Sequence, residues 1–216
     1  METNKGKKAY EYVFSHFYEQ IMDGRLKLGD KVPTERDLTE ELGVSRGSVR
    51  EAYHILEMLG IIECIQGSGD YVRCEPLTSL TNTVSMMTVL QDIPLKEILE
   101  MRKSYEMAAL EMAMNRITEK ELRKMKDTLM KMDEAEDARV SAALDMQLHS
   151  ILIEATGNRL LQLNVTLISD LLSHFIHGLR TSILADETRA AELKEAHWGV
   201  YHALVDHDLA AGMEAM

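Results

Sequence analysis

Apolar and polar positions along the chain fall into helical spacing nearly everywhere, with one short exception near residue 65. Over residues 8–23, Tyr10, Val13, Phe14, Phe17 and Ile21 recur at helical spacing, and Gly24 closes the run. Leu28-Gly29-Asp30-Lys31-Val32-Pro33 reads as a turn leading into an extended piece. Thr34 then caps a short helix with Glu35 and Asp37 in its first turn, where the helix dipole favours negative charge, and Gly43 stops it. Ser45 caps the next helix, which carries Val49, Ala52, Ile55, Leu56 and Leu59 along one face and ends at Gly60. Two β-rich runs, 61–65 and 70–73, flank Gln66-Gly67-Ser68-Gly69 and predict a hairpin. Pro, Ser and Thr then dominate 75–84, a linker or helix entry. Beyond it the spacing predicts helices near 80–90, 94–116, 118–135, 138–156, 158–183, 187–207 and 208–216. Thr118 with Glu121 has the spacing of a capping box. The expected fold is mainly α: three helices plus a β-hairpin over 1–75, a linker or helix entry over 76–84, and an all-α helical bundle over 85–216.

Composition agrees with that pattern. Aromatics make up 5% of the 216 residues while Met reaches 15 and Pro only 3, which favours helices packed on aliphatic faces over an all-β architecture. No run approaches the ~18 apolar residues of a membrane span, and no apolar secretory core follows the start, so a cytoplasmic protein is expected. Cys64 and Cys74 lack the company of a zinc finger or a disulfide framework. The net charge of −12 divides into −4 over residues 1–75 and −8 over the remainder. A nucleic-acid reader of this composition needs its few cations concentrated on one surface.

Two short helices, a Gly-Val turn and a hairpin are the layout of a winged helix-turn-helix. At the start of its second helix Ser45, Arg46, Ser48 and Arg50 crowd together while the apolar residues point elsewhere. A helix fits the major groove, an Arg there pairs bidentately with guanine, and Ser hydroxyls suit phosphate oxygens. Arg36 can reach the same surface, and the Gln66-Gly67-Ser68-Gly69 turn is small enough for close approach. By spacing alone, Arg46 and Arg50 also fit a solvated helix face, with Glu51 neutralising one of them. The run Gly24-x4-Gly29-Asp30-x2-Pro33-Thr34-Glu35-Arg36-Asp37-Leu38, then Leu42-Gly43-Val44-Ser45-Arg46-x2-Val49-Arg50-Glu51-Ala52, resembles the GntR family of bacterial transcription regulators. Leu56-x2-Leu59-Gly60-Ile61-Ile62 and Gly67-x-Gly69-x-Tyr71-Val72 keep the same register. The resemblance implies operator contacts by Arg36, Arg46 and Arg50, assisted by Ser45, Gly47, Ser48, Gln66 and Gly67. Gly47 departs from the Thr, Pro or Ser commoner there, so it brings no side-chain base contact.

In the helical half, Asp145 and His149 stand four positions apart and share a helix face, with His197 on another helix. A carboxylate and imidazoles converging inside a bundle suit a divalent transition metal: imidazole suits zinc, nickel or copper, the carboxylate admits manganese or iron, and zinc or nickel is expected here. The same spacing also describes a solvated polar pair, and His174, His177, His202 and His207 show that histidine is frequent in this half. Arg102-x3-Glu106, Asp145-x2-Leu148-His149, Ala155-x-Gly157-Asn158 and Glu195-Ala196-His197 resemble the FCD domain, the effector-binding domain of the FadR subfamily of those regulators. That resemblance implies Asp145, His149 and His197 as metal ligands, with a further His falling just past Met216, so that the C-terminal end reads as incomplete. It also implies a small carboxylate effector at the metal, and Arg102 projecting into the same cavity to bind it. An ion pair of Arg102 with Glu106, one helical turn on, is the other reading of that spacing.

The function expected is a ligand-responsive transcription regulator, not an enzyme, that acts as a homodimer on a near-palindromic double-stranded operator. A regulator for which the metal itself is the signal, and a metal-dependent hydrolase, are the alternatives. The hydrolase leaves residues 1–75 unexplained and has no His-Glu-x-x-His motif.

Overall fold

Side-chain caps set the helix starts of the N-terminal unit. The computed structural model describes residues 8–75 and 77–216, apart from the side chains at 77, 170, 173–180 and 184. Residues 1–7 and Pro76, within the expected 1–75 and 76–84 segments, lie outside the described residues. Two compact units divide at Thr83. The first opens with α1 (Ala9–Met22), followed by α2 (Glu35–Leu42) and α3 (Arg46–Met58). Thr34 accepts from the Asp37 amide, and Asp37 reaches back to the Thr34 amide, so two amide donors at the start of α2 are satisfied reciprocally. Gly43, at φ 66°, ends α2 in a left-handed conformation that side chains disfavour. Two residues later the Ser45 hydroxyl caps α3 through the Ser48 amide.

Strands β1 (Ile62–Ile65) and β2 (Gly69–Val72) pair antiparallel with Ile62 opposite Val72 and Ile65 opposite Gly69. The segment before α2 lies along the outer edge of β2: Val32 donates to the Asp70 carbonyl and Val72 donates to that of Asp30. Val13, Phe17, Val32, Leu38, Val49, Leu56, Ile62 and Val72 close one core beneath these elements. The sequence-predicted helices and hairpin are therefore present.

The helix α4 (Leu77–Leu90) begins where a linker or helix entry is expected. Then follow α5 (Leu95–Ala113), α6 (Glu119–Asp133), α7 (Ala138–Ala155), α8 (Arg159–Leu184), α9 (Glu187–Asp206) and α10 (Leu209–Ala215). Their shared core is aliphatic: Leu110, Met125, Leu129, Leu148, Ile151, Leu152 and Leu204 are fully buried. Thr118 and Glu121 form the expected capping box at α6. Two glycines let α10 dock closely. A Cβ at Gly199 of α9 would stand 2.9 Å from the Ala215 Cβ, and one at Gly212 would meet Leu110 Cδ2 at 2.9 Å. No described helix is long and apolar enough to cross a membrane.

Candidate functional site

Each unit gathers one group of polar side chains. In the first, the α3 cap leaves Arg46, Gly47 and Arg50 exposed and Ser48 half-exposed. Ser45 and Ser48 hydroxyls lie 2.9 Å apart. Arg50 donates from Nε and Nη2 to the two carboxylate oxygens of Glu35, at 3.0 and 2.9 Å, a bidentate fork across fifteen residues that ties α3 to the start of α2. These hydrogen bonds hold the Glu35 carboxyl below its ordinary value, with further help from the Arg50 and Arg46 charges. Arg36 donates to Glu40 at 3.0 Å along α2. Gln66 and Gly67 sit exposed at the hairpin turn, where Gly67 has φ 78°. Lys31 donates to the Ser68 carbonyl beside that turn, and its ammonium lies 5.8 Å from the Tyr71 ring centre. The solvated-face alternative has Glu51 neutralising one of these arginines; in the structure Arg50 pairs with Glu35.

In the second unit, α5, α7 and α9 bring five ionisable groups together. Arg102 and Glu106 share one face of α5, Asp145 and His149 one face of α7, and His197 comes from α9. Asp133 on α6 steadies α9 by accepting from Trp198 Nε1 and from Lys194, both at 3.0 Å. One oxygen, Glu106 Oε1, lies 2.7 Å from Arg102 Nε and 2.7 Å from His149 Nδ1. Asp145 Oδ2 is 3.3 Å from Arg102 Nη2 and 3.8 Å from His149 Nε2, while Asp145 Oδ1 is 3.2 Å from His197 Nε2. The two imidazoles meet edge to face with centroids 5.7 Å apart. Glu106, Asp145 and His197 are buried.

Burial alone would raise both carboxyls. For Glu106 the charges and hydrogen bonds of His149 and Arg102 outweigh it, and for Asp145 those of His149, His197 and Arg102 do, so both are held below the ordinary carboxylate range. Burial works to lower Arg102, yet Glu106 and Asp145 raise it above its ordinary value. Beside this network lies a cavity of about 130 Å³ walled by Glu106, Asp145, His149 and His197, with Leu152, Val200, Ala215 and Met216 among its apolar residues.

The donor set suits a divalent metal. Asp145, His149 and His197 each offer one ligand atom, all within 4.8 Å of one another. A metal about 2.0–2.1 Å from each donor separates tetrahedral neighbours by roughly 3.3 Å; His197 Nε2 lies 3.2 Å from Asp145 Oδ1 and His149 Nε2 3.8 Å from the other oxygen, Oδ2. His197 Nδ1 is buried and has no hydrogen-bond partner among the described residues.

Of the two readings of Arg102, the structure holds the pair with Glu106. The Arg102 guanidinium is engaged by Glu106 and Asp145 and is not among the residues walling the cavity. The physical reason is charge: two buried carboxylates need a counter-charge, and the always-charged guanidinium lies beside both. Of the other histidines, His202 stacks on Trp198 and His207 Nδ1 lies 2.9 Å from the Met114 carbonyl oxygen. The side chains of His174 and His177 lie outside the described residues. Sequence reasoning missed Glu106 as a partner of His149. Its spacing from Arg102 was visible, but a contact from α5 to α7 has no local signal.

Residues 9–72 match the family of bacterial regulatory proteins described as gntR, and residues 97–216 match the FCD domain. The HTH-type transcriptional regulator LutR of Bacillus subtilis is 30% identical over 198 residues, covering 91% of this chain and 90% of that protein. The Uxu operon transcriptional regulator of Escherichia coli is 31% identical over 163 residues, 74% of this chain and 63% of that protein. Among solved structures, a Streptococcus agalactiae GntR protein superimposes with a TM-score of 0.56 at 23% identity, over 95% of this chain and 94% of that one. That last likeness speaks for the fold.

Proposed function

This chain belongs to the gntR family of bacterial transcription regulators and carries an FCD effector domain, and on that premise we propose that it senses a small carboxylate metabolite at a divalent-metal site. Asp145, His149 and His197 hold the metal, zinc or nickel by the chemistry of two imidazoles and one carboxylate. The observation that carries this reading is the convergence of those three donors on one cavity wall. When bound, the metal supplies a Lewis-acidic centre with open positions for a carboxylate. With both imidazoles neutral, as ligation requires, two carboxylates and one guanidinium leave a net negative charge, which a bound divalent cation would reverse and so favour an anionic ligand. Arg102 contributes from behind the wall as the counter-charge to Glu106 and Asp145. A cavity of about 150 Å³ takes a molecule the size of benzene, so one of about 130 Å³ suits a small organic acid.

On the DNA side, Arg46 and Arg50 read base edges from α3, with Ser45, Gly47 and Ser48 beside them. Arg36 and the turn residues Gln66 and Gly67 add contacts to the same duplex. Two copies acting as a homodimer read the half-sites of a near-palindromic operator, and the effector changes operator affinity by a coupling free energy.

The test combines metal analysis of the purified protein with electrophoretic shift on DNA upstream of its own gene. Zinc or nickel and a panel of small organic acids are added separately and together. A changed shift is expected only with metal and acid together. Asp145→Asn and His149→Ala are expected to keep DNA binding and lose the response. A response to metal alone replaces this reading with a metal-responsive regulator; an unaltered response in both variants refutes the site.

A further inference from the structure

We propose that Glu106 is a positioning residue of the metal centre, one that fixes which nitrogen of His149 faces the donor cluster. The inference rests on the metal reading above. Glu106 is 4% exposed and sends its carboxylate from α5 to the back of the His149 ring. Its Oε1 lies 2.7 Å from two groups at once, Arg102 Nε and His149 Nδ1. An arginine Nε–H only donates, so this oxygen is an acceptor. The proton between it and His149 therefore sits on Nδ1. In a neutral imidazole that leaves Nε2 unprotonated, and Nε2 is the nitrogen on the side of Asp145, at 3.8 Å.

Arg102 completes the arrangement. By donating to the same oxygen and to Asp145 at 3.3 Å, it fixes the Glu106 carboxylate between α5 and α7. A guanidinium, a carboxylate and an imidazole thus form a relay of position: the first orients the second, and the second sets the tautomer and plane of the third. Outer partners of this kind raise ligand basicity, and their loss weakens metal binding about 10–100-fold. His197 has no such partner on its Nδ1 among the described residues, so the pre-set imidazole of this pair is His149.

The experiment uses the full chain and two variants. Glu106→Leu removes the acceptor; Glu106→Gln keeps an acceptor oxygen in the same place. Long-range proton–nitrogen NMR correlations of assigned histidines, recorded without metal, report the His149 tautomer, which a merely structural role would not set. Zn²⁺ affinity is measured by competition with a chromophoric chelator. The expected result is an Nδ1–H tautomer in the parent and in Glu106→Gln. In Glu106→Leu the expected result is a shift toward Nε2–H with Zn²⁺ affinity down about 10–100-fold. An Nε2–H tautomer in the parent overturns the inference, even if Glu106→Leu fails to fold. So does a folded Glu106→Leu with parental tautomer and affinity, in which case the metal reading stands. A parent that binds no Zn²⁺ overturns the metal reading and this role with it.

Discussion

Replacing Gly199 by alanine sets two opposing effects against each other. Alanine in a helix interior is favoured over glycine by about 0.8–1 kcal/mol. The new methyl would lie 2.9 Å from the Ala215 Cβ, where neither atom can rotate away. Carbon atoms in contact prefer about 3.5–4.0 Å, so α10 must retreat by more than half an ångström or α9 must bend. Overpacking of this kind costs about 1–3 kcal/mol. The steric cost exceeds the propensity gain, and Gly199→Ala is expected to destabilise the C-terminal unit by roughly 1 kcal/mol, a fall in melting temperature of about 3–5 °C for a unit of this size. Trp198, the sole tryptophan, reports on that unit by fluorescence. Gly47→Ala is the matched control, since its nearest neighbour is Ser45 Oγ at an ordinary 3.7 Å. With no steric cost there, its expected effect on the N-terminal unit, followed by circular dichroism, is neutral to stabilising. A Gly199→Ala protein as stable as its parent would show that α10 does not press on α9 as described.

Three further outcomes are expected. Arg46→Ala lowers operator affinity by about 1–3 kcal/mol if it forms a bidentate guanine pair; equal loss on operator and random duplexes, measured by fluorescence anisotropy, assigns it to phosphate instead. Glu106 and Asp145 are held below their ordinary values in the folded state, so their stabilisation is complete above the unfolded values, about pH 4, and is lost as pH falls through the depressed ones. Urea midpoints followed through Trp198 between neutral and acid pH should fall more steeply in the parent than in Glu106→Gln, and parallel curves would contradict the buried network. Zinc at a hundredfold its Kd should stabilise the parent by about 2.7 kcal/mol and His149→Ala far less, read as a thermal shift reversed by chelator.

What the sequence makes legible here is local. Thr34, Ser45 and Thr118 announce helix starts because a cap is a bond between neighbours. Gly67 and Gly69 announce the hairpin because its turn demands positive φ. Asp145 and His149 share a face through helical spacing alone. The partners of these groups come from elsewhere in the chain: Glu35 reaches Arg50 across fifteen residues, and Glu106 reaches His149 from another helix. Burial decides such pairs. Arg102 shows it: spacing offers an ion pair with Glu106 and the family resemblance a guanidinium turned into the effector cavity, and only packing reveals that both carboxylates beside it are out of water.

The Glu35 grip on Arg50 sets up a competition on the proposed DNA face. Random sequence presents phosphates, and each asks Arg50 to leave two well-placed acceptors of its own chain for a contact with no fixed register. A phosphate can also accept from both arms of the fork, so on the proposed DNA face Arg50 trades one bidentate partner for another. A guanine edge in register offers two acceptors for two, and there the exchange is even and the rest of the face decides. The Glu35 carboxylate thus competes with any duplex for Arg50, and what that residue would add to DNA binding is the surplus over the pair it gives up.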